Sequence, residues 1–204
     1  MIIYIFEGYK GKKHPEHQTD ELVRKSLYLY IKEKAVSVTE KEAFYTKDSV
    51  AIKKEHSQKI VRNSGGKPCF KDLPYEFSVS HTKDIWACIM GNQPVGLDIQ
   101  VMSKARYENI ADRFFMPHEA EYVRQTGPEG FMDLWVRKEA FLKYLGKGLA
   151  EGIKVIDTLE SGKPAEKTEA YGKKAYFTEI DIRKDVKCVC ASAEKEEIWK
   201  KTIK

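Results

Sequence analysis

The sequence predicts a mixed α/β fold of the α+β class, on three observations. Two pairs of apolar runs, 77–81 with 85–90 and 175–182 with 186–192, are each joined by a short polar turn and read as hairpins. Amphipathic stretches at helical spacing stand between and before them. The same succession of strand, helix and strand pair occurs in each half, which predicts two similar α/β lobes, 1–102 and 103–204, divided near residues 102–104.

The elements follow in order. Residues 1–6, Met-Ile-Ile-Tyr-Ile-Phe, lack a preceding basic stretch and a small-residue cleavage site, so they read as a first strand and not a signal peptide. Thr19 is placed to cap a helix over 19–31, with Leu22, Val23, Leu27, Tyr30 and Ile31 along one face. The charged stretch 39–60 reads as a helix and then a short extended piece leading into a turn at Gly65 and Gly66. Strands at 77–81 and 85–90 flank the turn Thr82-Lys-Asp84. Asn92, Gln93 and Pro94 then turn the chain into a strand over 95–101. Ser103 caps a helix whose Tyr107, Ile110, Ala111, Phe114 and Phe115 keep helical spacing. Pro117 starts a second helix that Gly127 ends, and a third runs over 128–146. Residues 161–164 read as a loop, and the last hairpin turns at Arg183-Lys-Asp185. Residues 195–204 read as a solvated tail.

Composition is that of an ordinary globule, with 42% hydrophobic and 33% charged residues in 204. No apolar run approaches the roughly 18 residues that a membrane helix needs. A cytoplasmic location and no membrane partner are therefore expected. Lys and Arg total 36 against 31 Asp and Glu, a net charge of +5. This excess favours anionic partners by steering, RNA among them. The absence of an arginine-rich run or an aromatic-studded basic motif counts against specific nucleic-acid binding. Cys69, Cys88, Cys188 and Cys190 show no Cys-x-x-Cys spacing and read as small buried hydrophobes. His14 and His17 stand three apart without further partners for a metal.

Two runs carry the chemistry. In Leu134-Trp-Val-Arg-Lys-Glu-Ala-Phe-Leu-Lys143, Glu139 and Lys143 lie four apart on one helix face. In Val95-Gly-Leu-Asp-Ile-Gln100, Asp98 and Gln100 share one strand face while Leu97 and Ile99 share the other. A surface ion pair at i, i+4 would explain the first, at about 0.2–0.5 kcal/mol. Asp98 could decorate a polar strand face, yet aspartate is disfavoured in strands, so its placement invites a reason. A carboxylate on a strand, a carboxylate on a helix and a nearby lysine suit magnesium and pyrophosphate, because Mg²⁺ takes one or two carboxylates together with phosphate oxygens and water.

Trp135, Lys138, Glu139, Ala140 and Lys143, with Asp98, resemble the pattern of the 4'-phosphopantetheinyl transferases of the larger, surfactin-synthetase-activating type. That pattern is a Gly-x-Asp-x-Glu strand followed by a Trp-x-x-Lys-Glu-Ala/Ser-x-x-Lys helix. Asn63-Ser-Gly-Gly-Lys-Pro-Cys-Phe70 resembles the family's Gly-Lys-Pro segment, and Phe77-Ser-Val-Ser-His81 its Ser-x-Ser-His turn. Arg113-Phe-Phe115 with Glu119, and Gly146-Lys-Gly-Leu149, resemble two further stretches in the family's order. The likeness covers residues 63–149 and is weaker outside them.

The resemblance implies a pseudo-twofold pair of lobes, each a small, mainly antiparallel sheet packed with helices, with the active site between them. It implies transfer of 4'-phosphopantetheine from coenzyme A to a serine of an acidic acyl, peptidyl or aryl carrier protein, releasing adenosine 3',5'-bisphosphate. Such carriers serve fatty acid, polyketide or nonribosomal peptide biosynthesis. A monomer is implied. Asp98 and Glu139 would hold Mg²⁺, or alternatively Mn²⁺, and Asp98, Glu139 and Lys143 would be the catalytic set. The family commonly has Glu at the position of Gln100, whose amide oxygen could still ligate the metal or hold a metal-bound water, with weaker affinity or a changed Mg²⁺/Mn²⁺ preference. Lys67, Ser80, His81 and Lys143 would contact coenzyme A. Lys10, Lys12 and Lys13 are candidates for its 3'-phosphate, though a solvated loop is equally consistent with them. On their own residues, His81 reads as a structural histidine, Lys67 as a turn lysine and Glu119 as a helix-start carboxylate favourable to the dipole. A coenzyme A or carrier-protein binding module without turnover is the rival that Gln100 motivates.

Overall fold

The computed structural model describes residues 1–9, 15–36, 58–101, 107–148 and 152–203. The expected cap at Ser103 and the helix within 39–57 fall outside these residues, as do Lys10, Lys12, Lys13 and His14.

Twelve strands are present among the described residues: β1 (Ile2–Glu7), β2 (Ile60–Arg62), β3 (Pro68–Phe70), β4 (Glu76–Thr82), β5 (Ile85–Gly91), β6 (Val95–Val101), β7 (Leu159–Glu160), β8 (Lys163–Pro164), β9 (Lys167–Ala170), β10 (Lys173–Glu179), β11 (Val186–Ser192) and β12 (Trp199–Ile203). They form one sheet in the order β12-β1-β5-β4, a second in the order β6-β11-β10-β9, and two small ribbons, β2-β3 and β7-β8. Three helices accompany them: α1 (Pro15–Val36), α2 (Tyr107–Phe114) and α3 (Pro117–Leu145). The mixed α/β class with small, mainly antiparallel sheets is thus observed. β6 lies in the second sheet and β12 in the first, so sheet membership does not divide at residue 102.

Period-two alternation fixes the layering. On β1 and β5, Ile2, Tyr4, Trp86, Cys88 and Met90 point to α1, where Leu22, Val23, Leu27 and Tyr30 meet them. The opposite face carries Ile3, Ile5, Ile85, Ala87 and Ile89, which pack on Leu97, Ile99, Val186, Cys188 and Cys190 of the second sheet. That sheet's far face carries Val189, Ala191, Ala175 and Phe177 against Val136, Ala140 and Phe141 of α3. The order is therefore helix, sheet, sheet, helix. Each large aliphatic side chain fully buried in these layers contributes about 1.5–3 kcal/mol.

The sheets are also joined along one edge. β4 and β6 run side by side at a constant offset of 19 residues, and the bonds between them come from side chains. The amides of Leu97, Ile99 and Val101 donate to the hydroxyl oxygens of Ser78, Ser80 and Thr82 at 3.0, 3.2 and 3.2 Å. On the surface, Arg183 bridges Asp84 of the β4–β5 turn and Asp185 of its own turn, a contact of small energetic weight at this exposure.

Three sequence expectations are corrected. The tail at 195–204 contributes β12, which pairs in parallel with β1 from Ile2↔Trp199 to Phe6↔Ile203 and buries Ile203. Its run Trp-Lys-Lys-Thr-Ile is exposed at the first four positions, which is why it reads as a tail. Thr19 is inside α1 and does not cap it. The helix begins at Pro15, a residue whose fixed φ suits a first helical position. Residues 161–164 belong to a tight ribbon, with Ser161 and Gly162 both at positive φ in its turn. The break at Gly127 is observed as a kink within α3 (φ 71°, ψ −152°), and Gly146 closes the helix in the left-handed region at φ 69°.

Gly96 governs how closely α3 approaches β6. A Cβ there would lie 1.9 Å from the carbonyl oxygen of Ala140 and 2.3 Å from the amide of Tyr144, both rigid backbone. Gly96→Ala should therefore destabilise the chain by about 2 kcal/mol or more in a denaturant melt. A loss of a few tenths would mean that the helix does not press on the strand.

Candidate active site

The site is built where α3 crosses β6. Asp98 and Gln100 occupy the strand face that also holds Gly96, and the missing side chain at Gly96 lets the second arm of α3 lie against it. Glu139 and Lys143 stand one helical turn apart on that arm. The loop before β3 braces the end of the helix: Asn63 Nδ2 donates to the Gly146 carbonyl at 3.3 Å, and Gly65 sits against the same carbonyl.

Asp98 is 2% exposed. Its Oδ1 accepts from Lys143 Nζ at 2.7 Å and from Ser80 Oγ at 2.9 Å, while Oδ2 accepts a longer bond of 3.4 Å from Gln100 Nε2. Lys143 Nζ also donates to Ser80 Oγ at 3.1 Å. Glu139 is half-buried. Burial first, and the charge of Asp98 second, push its pKa up to about 7, with Lys143 opposing. His81 is solvent-accessible, and its ring lies 5.3 Å from that of Tyr9. Residual desolvation and then the charge of Lys143 lower its pKa, with Asp98 opposing. These couplings place Ser80, His81, Asp98, Gln100, Glu139 and Lys143 in one electrostatic neighbourhood.

Lys67 reaches the start of β6. Its ammonium donates to the Val95 carbonyl at 2.8 Å and its amide to Asn63 Oδ1 at 2.9 Å. Burial lowers its pKa. In this state the side chain braces the Asn63 loop against the start of β6.

Two motif residues serve the scaffold. Lys138 and Glu119 are both fully buried, paired at 2.7 Å. Glu119 also closes the first turn of α3 by accepting from the Met116 amide at 2.9 Å. Its other oxygen accepts from the amide and hydroxyl of Thr158, each at 2.8 Å. Lys138 donates to the Ile156 carbonyl and lies 5.1 Å above the Phe115 ring. Removing one member of such a pair costs about 3–5 kcal/mol, because the other charge is left buried and alone. Trp135 joins Phe115 and Phe131 in a cluster of three rings, at 6.3 and 5.6 Å from them, while those two stack on each other at 5.4 Å. Sequence reasoning missed the Glu119–Lys138 pair and the part played by Ser78 and Thr82. The available signal for the latter was a hydroxyl at every second residue of a strand.

Among the described residues no three His, Cys, Asp or Glu side chains gather as a metal-binding group. The donors at hand are two carboxylates, Asp98 and Glu139, and the Gln100 amide. That set fits Mg²⁺, which completes its octahedron with water and substrate oxygens, better than a metal requiring an all-protein cage.

Residues 94–191 match the model of the 4'-phosphopantetheinyl transferase superfamily. The chain is 36% identical over 94 residues to the 4'-phosphopantetheinyl transferase gsp of Aneurinibacillus migulanus, covering 43% of this chain and 38% of that protein. It is 38% identical over 90 residues to the 4'-phosphopantetheinyl transferase Sfp of Bacillus subtilis strain 168, covering 42% and 40%. Over a longer stretch of 145 residues it is 29% identical to the 4'-phosphopantetheinyl transferase HetI of Nostoc sp., covering 66% and 60%. The chain thus spans less than two thirds of the length of the curated relatives it matches. The family match contains Asp98, Gln100, Glu119, Lys138, Glu139 and Lys143, while Lys67, Ser80 and His81 lie before it.

Glu139 makes the site pH-sensitive in the metal-free protein. Folded, it keeps its proton up to about pH 7, whereas an ordinary glutamate releases it near 4.5. Between those values the folded chain binds more protons than the unfolded one, so this group's contribution to stability falls as pH rises. With a chelator present, the stability of Glu139→Gln relative to the wild type should grow across that window. A constant difference would contradict the buried setting of Glu139.

Proposed function

From the match of residues 94–191 to the 4'-phosphopantetheinyl transferase superfamily, we propose that the chain is an Sfp-type transferase. It moves 4'-phosphopantetheine from coenzyme A to a serine hydroxyl of an apo carrier protein. The serine oxygen forms a bond to the phosphorus bearing the pantetheine arm, the bridging bond of the pyrophosphate breaks, and adenosine 3',5'-bisphosphate leaves. The observation that carries this reading is the packing of Glu139 and Lys143 over the buried Asp98, with Lys143 at 2.7 Å from it.

Asp98 and Glu139, with the Gln100 amide beside them, would hold a Mg²⁺ ion whose charge neutralises the pyrophosphate. Lys143 offers a second positive charge one helical turn away. Turned from Asp98 to a phosphate oxygen, its ammonium opposes the charge that builds on the leaving group, the kind of interaction that dominates phosphoryl transfer. Glu139 has a raised affinity for a proton and is placed to accept that of the attacking serine, directly or through water. His81, at the solvent-accessible margin, contributes a contact to the phosphates, and its pairing with the Tyr9 ring holds it there.

The net charge of +5 suits both anionic coenzyme A and an acidic carrier. No helix among the described residues is long and apolar enough to cross a membrane, and a cytoplasmic monomer is the simplest setting for this chemistry.

The test is incubation of the purified chain with coenzyme A, Mg²⁺ and a panel of apo-carriers, followed by mass measurement of the carriers. One carrier should gain a single phosphopantetheinyl group. Asp98→Ala and Glu139→Ala should lose this while melting cooperatively. Lys143→Met should lower kcat by about 100-fold or more with a smaller change in coenzyme A affinity. Coenzyme A binding without any gain in carrier mass would favour the non-catalytic binding module, and full activity in Asp98→Ala would overturn the site.

A further inference from the structure

Ser80 is the rung of the β4–β6 seam that also reaches the site. A hydroxyl has one proton and two lone pairs. Ser80 is 6% exposed, and its partners use all three: the Ile99 amide at 3.2 Å, Lys143 Nζ at 3.1 Å and Asp98 Oδ1 at 2.9 Å. An amide N–H and an ammonium can only donate, so both lone pairs are taken and the proton has a single destination, Asp98 Oδ1. The direction of that bond follows from the chemistry of the partners alone.

The consequence falls on the other oxygen. Oδ1 is committed twice, to Ser80 and to Lys143, while Oδ2 carries the long 3.4 Å bond from Gln100 among the described residues. We propose that Ser80 is a positioning residue that pins Asp98 by Oδ1 and so leaves Oδ2 as the oxygen that ligates the divalent cation. The proposal rests on the reading of Asp98 as a metal ligand. It gives Ser80 a task distinct from touching substrate: in the site without coenzyme A its proton goes to Asp98 Oδ1 and its lone pairs to Ile99 and Lys143. It also ties metal binding to the junction of the two sheets, because Ser80 belongs to the first and Asp98 to the second.

Ser78 provides the comparison. It accepts from the Leu97 amide at 3.0 Å as a rung of the same seam. Ser78→Ala and Ser80→Ala each remove the acceptor of one amide, so both should lower the melting temperature. Mn²⁺ binding to the full chain without coenzyme A, followed by calorimetry, separates them. Ser80→Ala should weaken it about tenfold or more, the usual effect of losing a partner that orients a ligand, while Ser78→Ala keeps the wild-type affinity. In the transfer assay Ser80→Ala should need more Mg²⁺ for half-activation yet regain much of its rate at saturating metal, a split that general damage to the fold would not produce. If the alanine variant does not fold, Ser80→Cys fills the site with a weaker donor and should show the same loss, as Mn²⁺ gains little from a thiol. Equal Mn²⁺ affinity in the Ser80 and Ser78 variants would overturn the positioning role. A wild-type chain that binds no Mn²⁺ or Mg²⁺ would instead overturn Asp98 as a ligand, and the inference with it.

Discussion

Hydroxyl groups stand in for backbone carbonyls between β4 and β6, and the placement of the site depends on this substitution. Leu97 and Ile99 are fully buried, and their amides face away from β11. Without Ser78 and Ser80 each amide would be an orphan donor costing about 1–3 kcal/mol. Because the acceptors are side-chain oxygens, β4 and β6 stay neighbours without merging into one continuous sheet. The sheets can then fold face to face, with Ile3, Ile5 and Ile89 against Leu97 and Ile99 between them. An ordinary backbone ladder would have made one flatter sheet and carried Ser80 away from Asp98.

Everything chemical follows from that corner. Asp98 emerges on the side of β6 opposite the inter-sheet core, and Gly96, two residues earlier on the same face, admits the backbone of α3. The helix can press there because it is anchored elsewhere by the Glu119–Lys138 pair, which fastens its first turn to its second arm across the Gly127 kink. The packing of α3 on β6 holds Glu139 and Lys143 over Asp98, and the 2.7 Å ion pair ties Lys143 to it. The resulting arrangement, two acids and one ammonium with restricted water, raises the proton affinity of Glu139 and gives Lys143 a resting partner.

Much of this was legible in the chain before any coordinates. Period-two alternation located β4, β5, β6, β10 and β11, and the punctuation at Pro117, Gly127 and Gly146 located both arms of α3. These signals are local, written within a few residues of where they act. β12 was not legible, because its pairing joins Ile2 to Trp199 and four of its five residues are exposed. Glu119 and Lys138 each had a sensible reading alone, but their pairing depends on a kink that returns one helical arm to the other. Lys67 looked like a reach for an anion, and its ammonium is held by the Val95 carbonyl. Ser78 and Ser80 were visible within the Ser-x-Ser-His stretch, and Thr82 read as part of the turn that follows it. Their bonds to β6 required knowing which strand lay beside them.

Site-resolved amide hydrogen exchange along β6 tests the hydroxyl seam most directly. The amides of Gly96, Asp98 and Gln100 face β11, and those of Leu97, Ile99 and Val101 face the hydroxyls of β4. Side-chain acceptors held as firmly as a backbone ladder should protect both sets alike, at the level of global unfolding. Rapid exchange at Leu97 and Ile99 beside slow exchange at Asp98 would contradict the account, since the strand would then be held from one side only and Asp98 would have no fixed frame.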